Sequence, residues 1–182
     1  MNKFLRMAAV AATAAGFAAA AVPAAAAGPV NATVDATARA RILSPLSLTR
    51  TQNFDLGDIV LSGTGTYSTV VSLSEAGART CNATLVTCSG TPSVAKYRVI
   101  GTNNQTVLVS APNVTLNNAN GGPALTLRTS DGSGTPYYPT SVPLVTSGAA
   151  GVEFSIGGEI TVANTTPDGL YTGVFAVTAE YQ

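Results

Sequence analysis

Apolar and polar residues alternate with a period of two through most of this sequence. In the stretch NATVDATARARI, one set of alternate positions is apolar and the other is mostly polar or charged. Clusters rich in Gly, Asn, Ser and Pro, such as SGTG, NNANGG and TTPDG, separate the alternating segments. A period of two is typical of β-strands with one buried face, and no window after residue 27 shows the stripe of an amphipathic helix. We therefore predict an all-β domain, either a sandwich or a barrel.

The first 27 residues have the layout of a secretory signal peptide. Lys3 and Arg6 supply a basic start, an alanine-rich apolar core follows, and Ala25–Ala27 provides the small residues that a signal peptidase requires. A membrane anchor is the alternative, but the apolar core is short for a span and no basic flank follows it. We expect cleavage after Ala27, export through the inner membrane, and one folded domain in the remaining chain.

The charge and the residue inventory argue against several functions. The net charge is zero and 10% of the residues are charged, so nothing attracts the chain to nucleic acid or to acidic lipids. The sequence contains no histidine, and a Ser-His-Asp or Cys-His catalytic arrangement therefore cannot form. Glu153 and Glu159 could share a sheet, and both are predicted to be solvated. We expect no enzyme activity, no metal site, no cofactor and no small-molecule substrate.

Cys81 and Cys88 are the two cysteines of the chain, and both follow the predicted signal peptide. In an exported protein, two such cysteines form a disulfide by default. The spacing is not the C-x-x-C of a redox or metal site, and no histidine is present to complete a zinc ligand set. We predict a Cys81–Cys88 disulfide that closes a short loop.

The last residues, DGLYTGVFAVTAEYQ, carry the strongest strand pattern and are predicted to form one long strand. Gly169 is the fourteenth residue from the end, and Tyr181 is penultimate. This combination resembles the C-terminal motif of bacterial pilins that are assembled by the chaperone–usher route. On that resemblance, the C-terminal assembly strand presents one alternating set of residues: Gly169, Tyr171, Gly173, Phe175, Val177, Ala179 and Tyr181.

The segment that follows the predicted cleavage site resembles the N-terminal extension of such pilins. The resemblance implies an immunoglobulin-like (pilin-like) β-sandwich that lacks one strand and is completed by the extension of a neighbouring subunit. It also implies that residues 28–40 are the donor strand and that residues 41–182 are the domain. Leu46 stands near the place where many pilins carry a cysteine, so the usual first-strand disulfide is absent. The donor face on this reading consists of Val30, Ala32, Val34, Ala36 and Ala38.

Nearly all of residues 32–182 also resemble an uncharacterised family of secreted bacterial pilin-like domains. The shared motifs are the opening ATARARILSPLSLTRTQNFDLGDIV, the internal GART and the closing GLYTGVFAVTAEYQ. These motifs are specific for that family and do not by themselves indicate a function.

Two functions remain open at this point. The first is a structural subunit of a surface fibre (a pilus or fimbria) that supports adhesion or biofilm formation and joins identical or related subunits head-to-tail. The resemblance then implies a periplasmic chaperone and an outer-membrane usher as partners. The second is a self-contained secreted β-sandwich that serves as a binding, adhesion or coat module. Residues 28–40 distinguish the two, because they pair with another copy in the first case and within their own chain in the second.

Overall fold

The computed structural model describes residues 36–130, 140–145 and 150–182. Within these ranges every regular element is a β-strand, and none of the described residues belongs to a helix long and apolar enough to cross a membrane. Residues 41–182 form one compact unit. The strands are β1 (Ser47–Gln52), β2 (Asp58–Leu61), β3 (Ser68–Leu73), β4 (Arg79–Thr80), β5 (Val86–Ser89), β6 (Ala95–Ile100), β7 (Thr106–Ser110), β8 (Val114–Asn118), β9 (Leu125–Ser130), β10 (Thr140–Pro143), β11 (Val152–Ala163), β12 (Tyr171–Thr172) and β13 (Thr178–Tyr181).

The described strands pair antiparallel in three sheets. The largest follows the order β1-β6-β11-β9-β8-β12, with β3 beside β11 and β4 beside β3. The second has the order β10-β7-β13, and the third contains β2 and β5. Strand β11 organises the largest sheet, because its first half pairs with β6 and its second half pairs with β3 and β9.

Side chains from these sheets meet in two hydrophobic clusters. The first joins β6 and the start of β11 to β7 and β10, with Val99, Val107, Leu144 and Ile156 fully buried. The second joins β3, β8, β9 and the end of β11 to β5, with Leu73, Val86 and Leu127 buried. Each fully buried aliphatic side chain of this size contributes about 1.5–3 kcal/mol through removal from water.

Phe54 and Phe175 connect the two clusters, because each packs against both of them. Their ring centroids lie 5.6 Å apart with tilted planes, an arrangement that aromatic pairs favour. Phe54 follows β1 and Phe175 lies between β12 and β13. The first strand and the last segment therefore meet at the boundary between the two halves of the core.

The prediction of an all-β domain is confirmed for the described residues, and the packing of their sheets on two clusters fits a β-sandwich. The alternating pattern of the stretch before β1 is typical of a strand, but residues 36–46 form no strand. Residues 36–42 are exposed throughout. Alternation specifies which face a strand would bury but supplies no backbone partner, and an isolated strand is not stable without one.

The expectation that Glu159 is solvated is wrong. Glu159 lies in the middle of β11 with 8% of its surface exposed. Its carboxylate pairs with the Arg128 guanidinium of β9 at 3.4 Å, which compensates the cost of burying the charge. Glu153, on the same strand, is exposed and pairs with Lys96 and Arg98.

Candidate functional site

An open apolar groove lies between strand β2 and the segment that leads into the last strand. Its volume is about 660 Å³. Residues 54–61 form one wall, and residues 166–173 together with Phe175 form the other. The floor consists of aliphatic side chains from β8, β9 and β11: Leu116, Leu125, Leu127, Ile160 and Val162.

Both walls of the groove carry a strand edge that no described residue pairs with. Strand β2 is hydrogen-bonded to β5 alone, and β12 is hydrogen-bonded to β8 alone, among the residues that the structure describes. An unpaired edge presents a row of backbone N–H and C=O groups, and an edge beside an apolar surface attracts another extended chain. The groove can therefore offer main-chain hydrogen bonds as well as apolar contacts.

The first wall begins where the chain leaves one sheet and joins another. Asp55, which follows β1, and Ser93, which precedes β6, exchange backbone hydrogen bonds of 2.7 and 2.8 Å. This bridge is the last pairing on the β1 side of the corner. The Gly57 N–H then donates to Asp55 Oδ1 at 2.8 Å, and Gly57 has a φ of +74°. A side chain would strain this left-handed conformation. Before the corner, β1 pairs with β6, and after it, β2 pairs with β5. The corner therefore places β2 where it forms a wall of the groove.

The second wall differs from the prediction of one continuous terminal strand. The segment pairs first with β8 through β12 and then with β7 through β13, and residues 173–177 between them form no strand. A Cβ on Gly173 would overlap the Thr115 carbonyl oxygen. Glycine is therefore needed where the segment passes over β8 on its way to β7. Pairing nevertheless continues to the last residue, because the Gln182 N–H donates to Thr106 O at 3.0 Å.

The alternation of the terminal segment matches its burial. Phe175, Val177, Ala179 and Tyr181 are half-buried and pack against the first cluster, and Tyr171 is half-buried beside the groove. On the other face, Leu170 is 68% exposed and Val174 is 86% exposed. The five non-glycine residues of the predicted assembly strand are therefore half-buried, whereas Gly169 and Gly173 are exposed. Tyr171 lies in β12, Ala179 and Tyr181 lie in β13, and Phe175 and Val177 lie between the two strands.

Gly169 has a local structural role. Its φ is +143°, and a Cβ there would overlap the Asn118 side-chain amide oxygen. The Asn118 Nδ2 group donates to Asp168 O at 3.0 Å, which holds the turn against the end of β8. Glycine at this position is thus required by the turn that starts the second wall.

Tyr181 also has partners inside the domain. Its hydroxyl accepts a hydrogen bond from the Thr102 N–H at 2.7 Å and donates one to Ser44 O at 2.7 Å. The Ser44 N–H in turn donates to Thr102 Oγ1 at 2.7 Å. The penultimate tyrosine therefore holds the last strand to the residues that precede β1, at the end of the domain where the chain arrives from residue 41.

The predicted donor face lies mostly outside the described residues. Val30, Ala32 and Val34 are outside them. Ala36 and Ala38 are described, and both are exposed and belong to no strand. The structure therefore gives no pairing partner for the two described members of the donor face.

The predicted disulfide is confirmed, since Cys81 and Cys88 are bonded to each other. Cys81 follows β4 and Cys88 belongs to β5. The loop that they close is ordered locally by Asn82, whose side-chain oxygen accepts from the Thr84 N–H at 3.2 Å. The link therefore joins the two-stranded sheet of β2 and β5 to the strand that precedes the loop.

The groove is lined mostly by apolar residues. Its ionisable side chains are the carboxylates of Asp55, Asp58 and Asp168 and the phenol of Tyr171. Among the residues that the structure describes, no three His, Cys, Asp or Glu side chains are close enough to hold a metal ion together. Apolar floor, unpaired backbone edges and an open top favour an extended apolar peptide as the ligand.

The floor of the groove was not singled out by sequence reasoning. Leu125 and Leu127 belong to ALTLRTS, and Ile160 and Val162 belong to EITV, both of which are ordinary alternating segments. The pattern indicates that these side chains face inward, but it cannot tell whether the opposite sheet covers them. That distinction depends on where β2 and β12 lie, which follows from the corner at Gly57 and from the passage over β8 at Gly173.

Comparison with known proteins identifies one related family. Residues 46–181 match the family model described as a domain of unknown function, DUF4402. No curated protein and no solved structure matches the chain.

Proposed function

The chain belongs to the DUF4402 family of domains of unknown function, and we propose that it is a structural subunit of a bacterial surface fibre. In this proposal the domain is an immunoglobulin-like, pilin-like sandwich that lacks one strand. The observation that carries the proposal is the apolar groove bounded by the unpaired edges of β2 and β12. An extended segment from another subunit fills the groove and completes the sheets, and the resulting fibre supports adhesion or biofilm formation.

The donor segment is long enough for the groove. The first wall runs over eight residues, 54–61, with a corner at Gly57, so it is at most ~26 Å long. The donor face from Val30 to Ala38 covers nine residues, or ~30 Å. Its alternate small side chains would enter the groove while the backbone pairs with the two free edges.

Chain length argues that the donor comes from a second copy. Ser44 is held beside Thr102, whereas Asp55 at the near end of the groove pairs with Ser93. The nine residues from Ser93 to Thr102 are mostly the extended strand β6, so these two points are ~30 Å apart. Ala38 is six residues before Ser44, and six extended residues reach at most ~21 Å.

By this measure Ala38 does not reach the groove of its own domain, so the whole donor face cannot lie in that groove. A neighbouring copy has no such restriction and can place the whole donor face in the groove. Because donation from one copy to the next uses two different surfaces, it does not close on itself and produces a head-to-tail fibre.

The charges beside the groove and at the end of the donor segment also favour a second copy of the chain as the partner. Asp55, Asp58 and Asp168 border the groove, and none of the three forms an ion pair with another described residue. Arg39 lies near the end of the donor segment and Arg41 directly follows the segment, and both are exposed. Acidic borders and a basic end of the donor are complementary, which favours encounter of two copies in this arrangement.

The remaining partners and the location are proposed from the resemblance to chaperone–usher pilins. An apolar groove with free strand edges promotes aggregation unless something covers it. We propose that a periplasmic chaperone covers it during transit and that an outer-membrane usher exchanges the chaperone for the donor segment. The subunit would then pass through the periplasm and reside in the fibre at the cell surface.

A peptide titration tests whether the groove accepts the donor. Residues 41–182 are prepared without residues 1–40, and a synthetic peptide of residues 28–40 is added at about one hundred times its dissociation constant. Binding at that excess stabilises the domain by about 2.7 kcal/mol, which raises the melting temperature by roughly 10 °C for a domain of this size. The control is the same peptide with Val30→Asp and Val34→Asp, for which no rise is expected.

An unchanged melting temperature with the unmodified peptide would contradict the proposal. The sheets would then be complete without residues 28–40. The self-contained binding or coat module would be the better account of the fold.

A further inference from the structure

Strand β2 forms a wall of the groove but is not hydrogen-bonded to the large sheet in the part of the chain that the structure describes. Among the described strands it pairs only with β5, over Asp58–Leu61, and β5 pairs only with β2. The two strands form a separate ribbon rather than part of the large sheet. The width of the groove therefore depends on whatever holds this ribbon in place.

Arg79 donates hydrogen bonds to backbone carbonyl groups at the end of the ribbon where β2 begins and β5 ends. Its Nη1 atom donates to Leu56 O and to Ser89 O, both at 2.7 Å, and its Nη2 atom donates to Gly90 O at 3.4 Å. Leu56 precedes β2, and Ser89 ends β5. One half-buried guanidinium thus joins the start of β2 to the end of β5. Charge-assisted bonds of this kind are stronger than those between neutral groups.

The corner at Gly57 is built around this guanidinium. A Cβ on Gly57 would lie 2.5 Å from Arg79 Nη1 and 2.5 Å from Ser89 O. The absence of a side chain at Gly57 is therefore what allows the guanidinium to reach the backbone. No other side chain makes these contacts in the part of the chain that the structure describes.

The disulfide fixes the strand that carries Arg79. Arg79 lies in β4, which pairs with β3 of the large sheet through Leu73 and Arg79. Cys81 follows β4 directly and is bonded to Cys88 of β5, whose register partner on β2 is Ile59. The disulfide is thus a covalent link from the large sheet to the ribbon. It borders an open recess of about 390 Å³ that is also lined by Ala83 and Thr87, so a small dithiol can reach it.

We propose that Arg79 and the Cys81–Cys88 disulfide together position the β2 wall, so that acceptance of a donor strand depends on both. The inference rests on the proposed function, because it concerns the same groove. Arg79 acts as a positioning residue, since it contacts the backbone of the ribbon and not the donor. Loss of either element releases the ribbon while the rest of the large sheet and the β10-β7-β13 sheet keep their pairing.

The proposal predicts that the groove binds the donor strand less well when the Cys81–Cys88 disulfide is reduced. A dithiol such as dithiothreitol attacks one sulfur through its thiolate and forms a mixed disulfide, and its second thiol then closes the ring. Cys81 and Cys88 leave as two thiols, and the reductant leaves as a cyclic disulfide. The subunit would accept donors in an oxidising compartment and lose that ability under reducing conditions.

The test measures peptide affinity in the mature chain, residues 28–182, that carries Val34→Asp to prevent self-assembly. The probe is the synthetic peptide of residues 28–40. We compare Arg79→Gln, Arg79→Lys and the double variant Cys81→Ser with Cys88→Ser. The matched control is Arg98→Gln, which removes an exposed arginine of β6 whose ion pair with Glu153 lies on another strand pair.

We expect Arg79→Gln and the cysteine double variant to weaken peptide binding at least tenfold, and Arg79→Lys to weaken it less. Arg98→Gln should bind like the parent. Amide exchange should accelerate in β2 and β5 and stay unchanged in β6 and β7. This localised pattern separates a positioning role from general destabilisation, which accelerates exchange in all strands.

Two results would overturn the inference while leaving the proposed function intact. One is parental affinity in Arg79→Gln and in the cysteine double variant. The other is accelerated exchange that extends equally to β6 and β7. Failure of the parent to bind the peptide would instead contradict the proposed function itself.

Discussion

Replacing Val34 by aspartate is expected to leave the mature chain monomeric, whereas we expect the parent chain to form head-to-tail polymers. The Val34 side chain is one of the two largest on the proposed donor face, and a carboxylate at its position would be buried in an apolar groove without a partner. Burying such a charge costs several kcal/mol, which corresponds to a loss of affinity of roughly a hundredfold or more. Size-exclusion chromatography with light scattering measures the change, and unheated gels show whether ladders persist.

The matched control for Val34→Asp is Thr33→Asp. Thr33 belongs to the opposite alternating set of the same segment, so its side chain would point away from the groove. We expect the control to polymerise like the parent. Equal polymer formation by the Val34→Asp chain would show that this face of residues 28–40 is not the donor.

Replacing Leu125 by aspartate should abolish acceptance from the other side of the contact. Leu125 is half-buried at the start of β9 and contributes to the floor of the groove. A donor strand would cover it and bury the new carboxylate, so we expect peptide affinity to fall by roughly a hundredfold. Calorimetric titration with the peptide of residues 28–40 measures the affinity, and circular dichroism verifies that the variant is folded.

Thr126→Asp is the control for this variant, because Thr126 is the exposed neighbour on the opposite face of β9. Its affinity for the peptide should equal that of the parent. A folded Leu125→Asp variant that binds the peptide with parental affinity would place the donor somewhere other than this groove.

Alternation predicted the strands with a strong inward face most successfully. The period of two predicts strands in the segments SVAKYRVIG, TVLVSAP, ALTLRTS and VEFSIGGEITV. These segments form β6, β7, β9 and all but the last residue of β11. These strands supply six of the nine buried residues of the first cluster and three of the nine of the second, so burial and pattern agree there. The disulfide followed from cysteine content and predicted export, without any geometric information.

The groove could not be predicted because it depends on backbone events that carry no hydrophobic pattern. Before the corner at Gly57 the chain pairs with β6, and after it the chain pairs with β5. The close approach at Gly173 separates the part of the last segment that pairs with β8 from the part that pairs with β7. Both events involve a glycine, and an isolated glycine in a strand pattern indicates a bend without specifying which partner follows it. The role of Arg79 was missed although the residue belongs to the GART motif, since a single arginine in a turn-rich stretch gives no signal that it binds carbonyl groups.

The most direct test of strand donation mixes the Val34→Asp chain with the Leu125→Asp chain. The first keeps an intact groove but has no functional donor, and the second keeps an intact donor but has no functional groove. Each should be monomeric alone, and the mixture should yield dimers of one copy of each and nothing larger, as measured by light scattering and mass spectrometry. A mixture that stays entirely monomeric, although both chains are folded, would contradict donation from residues 28–40 of one copy into the groove of the next.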